Sequence, residues 1–222
     1  MKTNILYIAL AMGLLFANCK KETNTTTKSA TTTTDTVAAD AHSHGAGDSE
    51  MMASMNGMMD RMHSMEMSGN TDHDLAASME EHHKSAVEMA DILLEKGTDP
   101  ELKKLAQKIK DEQDKEIAEL QKLQGKYKDG PKNYDPRNSG EGLGKAMMAD
   151  MMAMMKMPES GTQSVDKEFA ILMTKHHQDG IQMARSIVQY AQDAGFKTMA
   201  QNIIKSQDQG VKVMQQWLAA HP

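Results

Sequence analysis

Apolar and polar positions from residue 71 onward follow the period of an α-helix, with little of the alternation typical of strands. The core-facing positions advance in steps of four and three residues. They are Leu75, Met79, His82, Ala86, Met89 and Leu93, and then, at an offset of 94, Phe169, Met173, His176, Gly180, Met183 and Ile187. A gapless repeat of this kind indicates an internal duplication, and each copy places a histidine on the face that the helix buries.

A second amphipathic helix follows the first in each copy, and a glutamine, Gln113 or Gln207, lies in the middle of its apolar face. Each copy therefore predicts a helical hairpin. Two hairpins predict an all-α four-helix bundle. Its repeat halves span about 50–125 and 144–220.

Residues 1–18 have the pattern of a signal peptide, with a lysine and an apolar run too short to span a bilayer. Cys19, the only cysteine, stands where a bacterial lipoprotein is cleaved and acylated. Ordinary secretion and an uncleaved anchor are the alternatives. We expect residues 19–49 to comprise the lipidated cysteine and a disordered, Thr-rich tether, and residues 50–222 to form the helical domain.

A methionine-rich stretch precedes each hairpin and predicts an additional short amphipathic helix, the second of which should end at Pro158. Methionine is dense around each of these helices. We therefore expect the stretches to be exposed and to contact a metal or a partner, either a second copy or another protein.

The formal net charge is −6, and the chain has few aromatic side chains and no basic stripe. Nucleic acid is therefore not an expected partner. A lipid anchor on Cys19 would instead make a bacterial membrane a partner, with the protein on its periplasmic face or at the cell surface.

The duplicated motif offers soft ligands, because Met79 lies three and four residues before His82 and His83 and so shares a helix face with them. Thioether sulfur and imidazole nitrogen favour copper, Cu(I) above all, over hard cations. The predicted ligands are Met79, His82, His83, Met173, His176 and His177. Auxiliary ligands are predicted at Met58, Met62, His63, Met89, Met151, Met155 and Met183.

A structural role is the alternative for several of these residues. Met89 lies seven residues from His82, a rise of about 10.5 Å, so packing or a separate, weaker site is expected for it and for Met183. An inward imidazole can also be satisfied by a hydrogen bond, and Gln113 and Gln207 are the natural partners for one. The same glutamines could support ligating histidines from outside the ligand set.

Two segments together resemble the DUF305 family: His82–Ala90 and His176–Ala184, with Gln113, Glu116-Ile117, Gln207 and Trp217-Leu218. The resemblance covers about residues 71–124 and 164–220. It implies a ferritin-like, mostly four-helix, extracytoplasmic protein and, for some members, copper binding and tolerance through Met and His. Gly180 replaces Ala86, and Gly210-Val211 replaces Glu116-Ile117, so unequal binding by the two halves is expected.

Two other functions compete with copper binding. Glu80 and His83 have the Glu-x-x-His spacing of di-iron bundles, but the second copy has Thr174 in place of the glutamate, which disfavours a ferritin-like oxidase. A metal-free, chaperone-like module that binds partners through its methionines is the other alternative. No Ser, Cys or Thr nucleophile arrangement is visible, so the protein is expected not to be an enzyme.

Overall fold

The computed structural model describes residues 49–159 and 164–222, and every helix or strand assigned within them is an α-helix. The helices are α1 (Glu50–His63), α2 (Thr71–Lys96), α3 (Pro100–Tyr127), α4 (Gly142–Met154), α5 (Val165–Tyr190) and α6 (Ala194–Ala220). Helices α2 and α3 form one hairpin, α5 and α6 form the other, and α2 packs on α5 between them. The predicted bundle of two duplicated hairpins with additional short helices is confirmed. The predicted signal peptide, Cys19 and nearly all of the tether lie outside the described residues.

The duplication is visible in where the helices begin. Helix α5 starts 94 residues after α2, at 165 against 71, and α6 starts 94 residues after α3, at 194 against 100. The start signals repeat as well: Asp99 accepts hydrogen bonds from the backbone N–H groups of Glu101 and Leu102, and Asp193 accepts one from Phe196. A side-chain acceptor before the first turn satisfies donors that the helix itself leaves unpaired.

Two buried aspartates join the hairpins crosswise. Asp72, in the first turn of α2, accepts the backbone N–H groups of Gln192 and Asp193 in the α5–α6 turn. Its counterpart Asp166 accepts those of Thr98 and Asp99 in the α2–α3 turn. The start of each central helix therefore lies at the end of the other, so α2 and α5 run antiparallel and are related by an approximate twofold axis.

Helix α1 packs against α2, and α4 packs against α5. Contrary to the expectation of an exposed methionine-rich surface, α1 buries Met51, Met55, Met58 and Met62. These four recur at steps of four, three and four residues and so form one core-facing stripe. The expectation is confirmed only for part of α4, where Met148, Met152 and Met155 are exposed.

Some helix boundaries differ from those predicted. Helix α4 ends at Met154, four residues before Pro158, and the Lys156 N–H then bonds to the Ala153 carbonyl, so the chain tightens into a turn three residues long. The connection between the repeat halves, expected at about 125–144, is shorter, since α3 continues to Tyr127 and α4 begins at Gly142. None of the described helices combines the length and the apolarity needed to cross a bilayer.

Candidate metal centre

His82 and His176 occupy the same position in the two copies, and they meet where α2 crosses α5. Their ring centroids lie 3.8 Å apart at an interplanar angle of 32°, and neither residue is exposed. His83 and His177 flank the pair, with centroids 6.1 Å from His82 and 6.3 Å from His176, respectively. All four predicted imidazoles therefore form one buried cluster, which we call the histidine centre.

Hydrogen bonds determine which nitrogens of this centre carry protons. The His176 Nε2 atom lies 2.9 Å from the His82 backbone oxygen, and the His83 Nε2 atom lies 2.8 Å from Glu116 Oε2. Because a carbonyl and a carboxylate can only accept, both Nε2 atoms must donate when Glu116 is ionised. The Nδ1 atom of each ring then carries a lone pair, and neither Nδ1 has a hydrogen-bond partner.

Unpaired ring nitrogens extend through the whole centre. Both nitrogens of His82 and the Nδ1 atom of His177 are buried without a hydrogen-bond partner. Leaving such atoms unpaired costs about 1–3 kcal/mol each. A histidine that ligates a metal typically donates its other N–H to a carboxylate or a backbone carbonyl, which is the arrangement of His83 and His176. The chemistry of these nitrogens therefore fits a metal ion.

Thioethers lie on both sides of the imidazole pair. Met79 is fully buried in a cluster of core residues with Met183, and Met173 is fully buried in a second cluster with Met89. The first cluster uses the amino-terminal part of α2, and the second uses its carboxy-terminal part, so the imidazoles lie between them. Within 49–159 and 164–222, no three His, Cys, Asp or Glu side chains are placed to hold one ion. An ion here would therefore depend on few imidazoles and on sulfur, as soft, low-coordinate metals do.

The proposed glutamine partners do not satisfy the histidines. Gln113 and Gln207 are buried as predicted, but the Gln113 Oε1 atom and both polar side-chain atoms of Gln207 lack partners. The His83 and His176 N–H groups bond to Glu116 and to the His82 backbone oxygen instead. In the sequence Glu116 stands only within the repeated motif, since no local pattern shows which imidazole it contacts.

Two glycines make room for the imidazoles. A Cβ atom on Gly180 would lie 2.8 Å from His82 Cε1, and one on Gly210 would lie 2.8 Å from His177 Cδ2. Their counterparts in the first copy are Ala86 and Glu116. The halves therefore differ at the centre itself: His83 has a carboxylate partner, whereas His177 lies against a glycine, beside a small cavity that Glu112 also lines.

The predicted auxiliary ligands do not form one group. Met62, Met151 and Met183 line a single cavity, whereas Met58 and Met89 are buried in the core. Met155 and His63 are exposed, at the end of α4 and in the last turn of α1.

The carboxylate and imidazole of the Glu-x-x-His motif do not converge. Glu80 accepts hydrogen bonds from Gln121, Gln124 and Lys84, whereas His83 donates to Glu116. The second copy has Gly210 at the position of Glu116. The described residues thus contain no paired carboxylates of the kind that a di-iron centre requires.

Burial keeps three imidazoles of the centre neutral. Desolvation, followed by the charges of neighbouring imidazoles, holds the pKa values of His82 and His176 well below 6.5, and burial with His83 and Lys108 lowers the pKa of His177 to about 3. Near pH 7 these three rings are therefore unprotonated, and a metal ion would not have to displace an ionising proton from them.

The metal-free protein should lose stability as the pH falls below 6.5. Between pH 6.5 and pH 3 the unfolded chain protonates His177 while the folded protein does not, so acid favours unfolding. At pH 5 this effect amounts to about 2 kcal/mol for His177 alone. Urea unfolding with chelator at pH 7 and pH 5 measures this loss of unfolding free energy. The loss should be about 2 kcal/mol smaller in His177→Gln than in the parent protein. Equal losses in both proteins would contradict the assignment.

Together the fold and the centre define a class: an all-α protein of two duplicated hairpins that encloses a buried cluster of imidazoles and thioethers. The family model "Domain of unknown function (DUF305)" matches residues 72–218. The chain belongs to the DUF305 family, as the repeated histidine motif had indicated. No curated protein sequence matches it.

Solved structures with the same architecture include CopM in a silver-bound form, which is 29% identical to this chain. The match covers 68% of this chain and 96% of CopM, with a TM-score of 0.52. CopM in its Cu(I)-bound form is 28% identical to this chain. That match covers 68% of this chain and 96% of CopM, with a TM-score of 0.51. A DUF305 protein of Streptomyces coelicolor, described as secreted, is 28% identical over 69% of this chain and 94% of its own, with a TM-score of 0.53.

Proposed function

We propose that the protein binds Cu(I) at the histidine centre and buffers or sequesters copper outside the cytoplasm. The observation that carries this proposal is the set of buried ring nitrogens without partners, in which His83 and His176 have their opposite N–H groups held by Glu116 and a backbone carbonyl. Structures of CopM with Cu(I) and with silver support a soft monovalent ion.

Complete burial favours holding an ion over catalysing a reaction. His82, His83 and His176 are 0% exposed, so no substrate reaches them without opening the bundle. Thioether and neutral imidazole donors also favour Cu(I), since hard divalent ions prefer oxygen. The proposed role is therefore storage or transfer, without an enzymatic activity.

Competitive Cu(I) titration tests the centre. Replacing His82, His83, His176 and His177 by leucine should remove the tightest Cu(I) equivalent, because leucine keeps apolar volume and offers no donor. The matched control replaces His221, which is exposed, lies outside the centre and is not among the predicted ligands. The control should bind like the parent protein. Unchanged stoichiometry and affinity in the four-histidine variant would refute the proposal.

We further propose that acylation of Cys19 anchors the protein to a bacterial membrane. The motivating observation is a single cysteine directly after a signal-like segment, and the S. coelicolor relative is described as secreted. Cys19→Ser should move the protein from the membrane fraction to the soluble fraction in the expressing bacterium and abolish incorporation of labelled palmitate. Membrane retention with full labelling would exclude an anchor on this residue.

A further inference from the structure

A cavity of about 60 Å³ adjoins α1, α2, α4 and α5, apart from the four histidines. Most of its lining is methionine: Met62, Met67, Met147, Met151, Met154 and Met183. Methionine is flexible and usually closes gaps in a core. A void bordered by six thioethers is therefore a feature that packing alone does not explain.

The volume of the cavity limits what can occupy it. Small organic ligands are held in pockets of about 300–1,000 Å³, whereas one water takes about 30 Å³ of liquid. A cavity of about 60 Å³ therefore suits a single ion more closely than an organic molecule. Thioether sulfur is a soft and uncharged donor, which selects a polarizable metal ion.

One buried carboxylate borders the cavity and, when ionised, supplies a matching charge. Asp150 also lines the cavity and is 7% exposed. Its Oδ1 atom accepts a hydrogen bond from Gln182 Nε2 at 2.8 Å, and its Oδ2 atom accepts one from Ser186 Oγ at 2.8 Å. Both donors are neutral, so neither compensates the charge of an ionised Asp150. A single positive charge beside it would do so, which favours a monovalent cation.

We propose that this cavity is a second soft-metal site, in which Met62, Met151 and Met183 hold one Cu(I) or Ag(I) ion next to Asp150. These three methionines come from α1, α4 and α5, so the site exists only when both short helices are packed on the bundle. The site does not require the histidine centre, and it stands whether or not that centre binds copper.

Silver is the probe, because Ag(I) shares the ligand preference of Cu(I) and does not change oxidation state in air. In the four-histidine leucine variant, titration with Ag(I) should still fill one tight site per chain. Adding Met62→Leu, Met151→Leu and Met183→Leu should weaken that binding at least tenfold. Met51→Leu, Met55→Leu and Met214→Leu form the matched control, since these methionines are buried in the other core cluster, and they should leave it unchanged.

The combined variants could misfold, so a second measurement uses the full chain with its four histidines intact. In the full chain labelled with ¹³C at the methionine methyl groups, Ag(I) should shift the signals of Met62, Met151 and Met183. If only the histidine centre did not bind metal, these shifts would still appear. Absence of the shifts, or equal loss of silver in the Met51, Met55 and Met214 control, would overturn the second site.

Discussion

Replacing His82 and His176 together by leucine is expected to make the metal-free protein more stable while removing Cu(I) from the bundle core. The pair contributes three buried nitrogens without hydrogen-bond partners. Each costs about 1–3 kcal/mol, and only the bond from His176 Nε2 to the His82 carbonyl, worth about 1 kcal/mol, is lost in exchange. The free energy of unfolding should therefore rise by at least about 2 kcal/mol.

Such opposite effects on stability and binding are the signature of a binding site. A histidine pair kept only for packing would lose stability on substitution, or show no gain. Thermal unfolding with chelator measures the first effect, and an increase of at least about 2 kcal/mol should raise Tm by at least roughly 4 °C. Competitive Cu(I) titration measures the second. A destabilised variant that retains the parent's Cu(I) affinity would contradict both the proposed site and its energetic cost.

Replacing Asp74 by alanine is expected to cause the largest loss of stability, about 3–5 kcal/mol, because it leaves several buried donors unpaired at about 1–3 kcal/mol each. The residue is 1% exposed. Its Oδ1 atom accepts hydrogen bonds from the Ser68 backbone and hydroxyl and lies 2.9 Å from His73 Nδ1, and its Oδ2 atom accepts bonds from the Gly69 N–H and the Tyr134 hydroxyl. Burial alone would raise the pKa of Asp74, but these hydrogen bonds outweigh it and lower the pKa, so the carboxylate is ionised near pH 7.

Removing that carboxylate would release two connecting segments at once, the one before α2 and the one that carries Tyr134. Glu168 provides the matched control, because it occupies the equivalent position 94 residues later, is also buried, and has an Oε1 atom without a partner. Glu168→Ala should cost no more than about 1 kcal/mol. Chemical denaturation of both variants at pH 7 compares them, and equal losses would show that the hydrogen-bond network around Asp74 contributes little.

The fold could be predicted from the sequence to a large extent, because each helix leaves a local signal. The duplicated faces predicted the burial of Met79, His82, Met173 and His176, and all four are buried. Whether a methionine-rich helix would be buried or exposed was harder to predict. Methionine is apolar and flexible and serves equally in a core or on a contact surface, so the sequence did not show that α1 would bury one stripe while α4 would expose another.

The candidate site was predictable in its residues but not in its contacts. The repeat identified the four histidines, yet their expected amide partners Gln113 and Gln207 have no bond to them. The observed partner of His83, Glu116, lies 33 residues away along the chain and on another helix. Hydrogen bonds across helices depend on how far each helix is rotated and offset, and the period of one helix does not record that.

The sequence by itself determined the duplicated hairpins, the capped helix starts and the burial of one histidine per copy, because these depend on side chains a few residues apart. Only the tertiary structure decided that His82 stacks on His176, that Asp72 and Asp166 cap each other's hairpins, and that six methionines surround a cavity beside Asp150. Such features join residues that are tens of positions apart or more, and they form only when separate helices pack in one relative orientation.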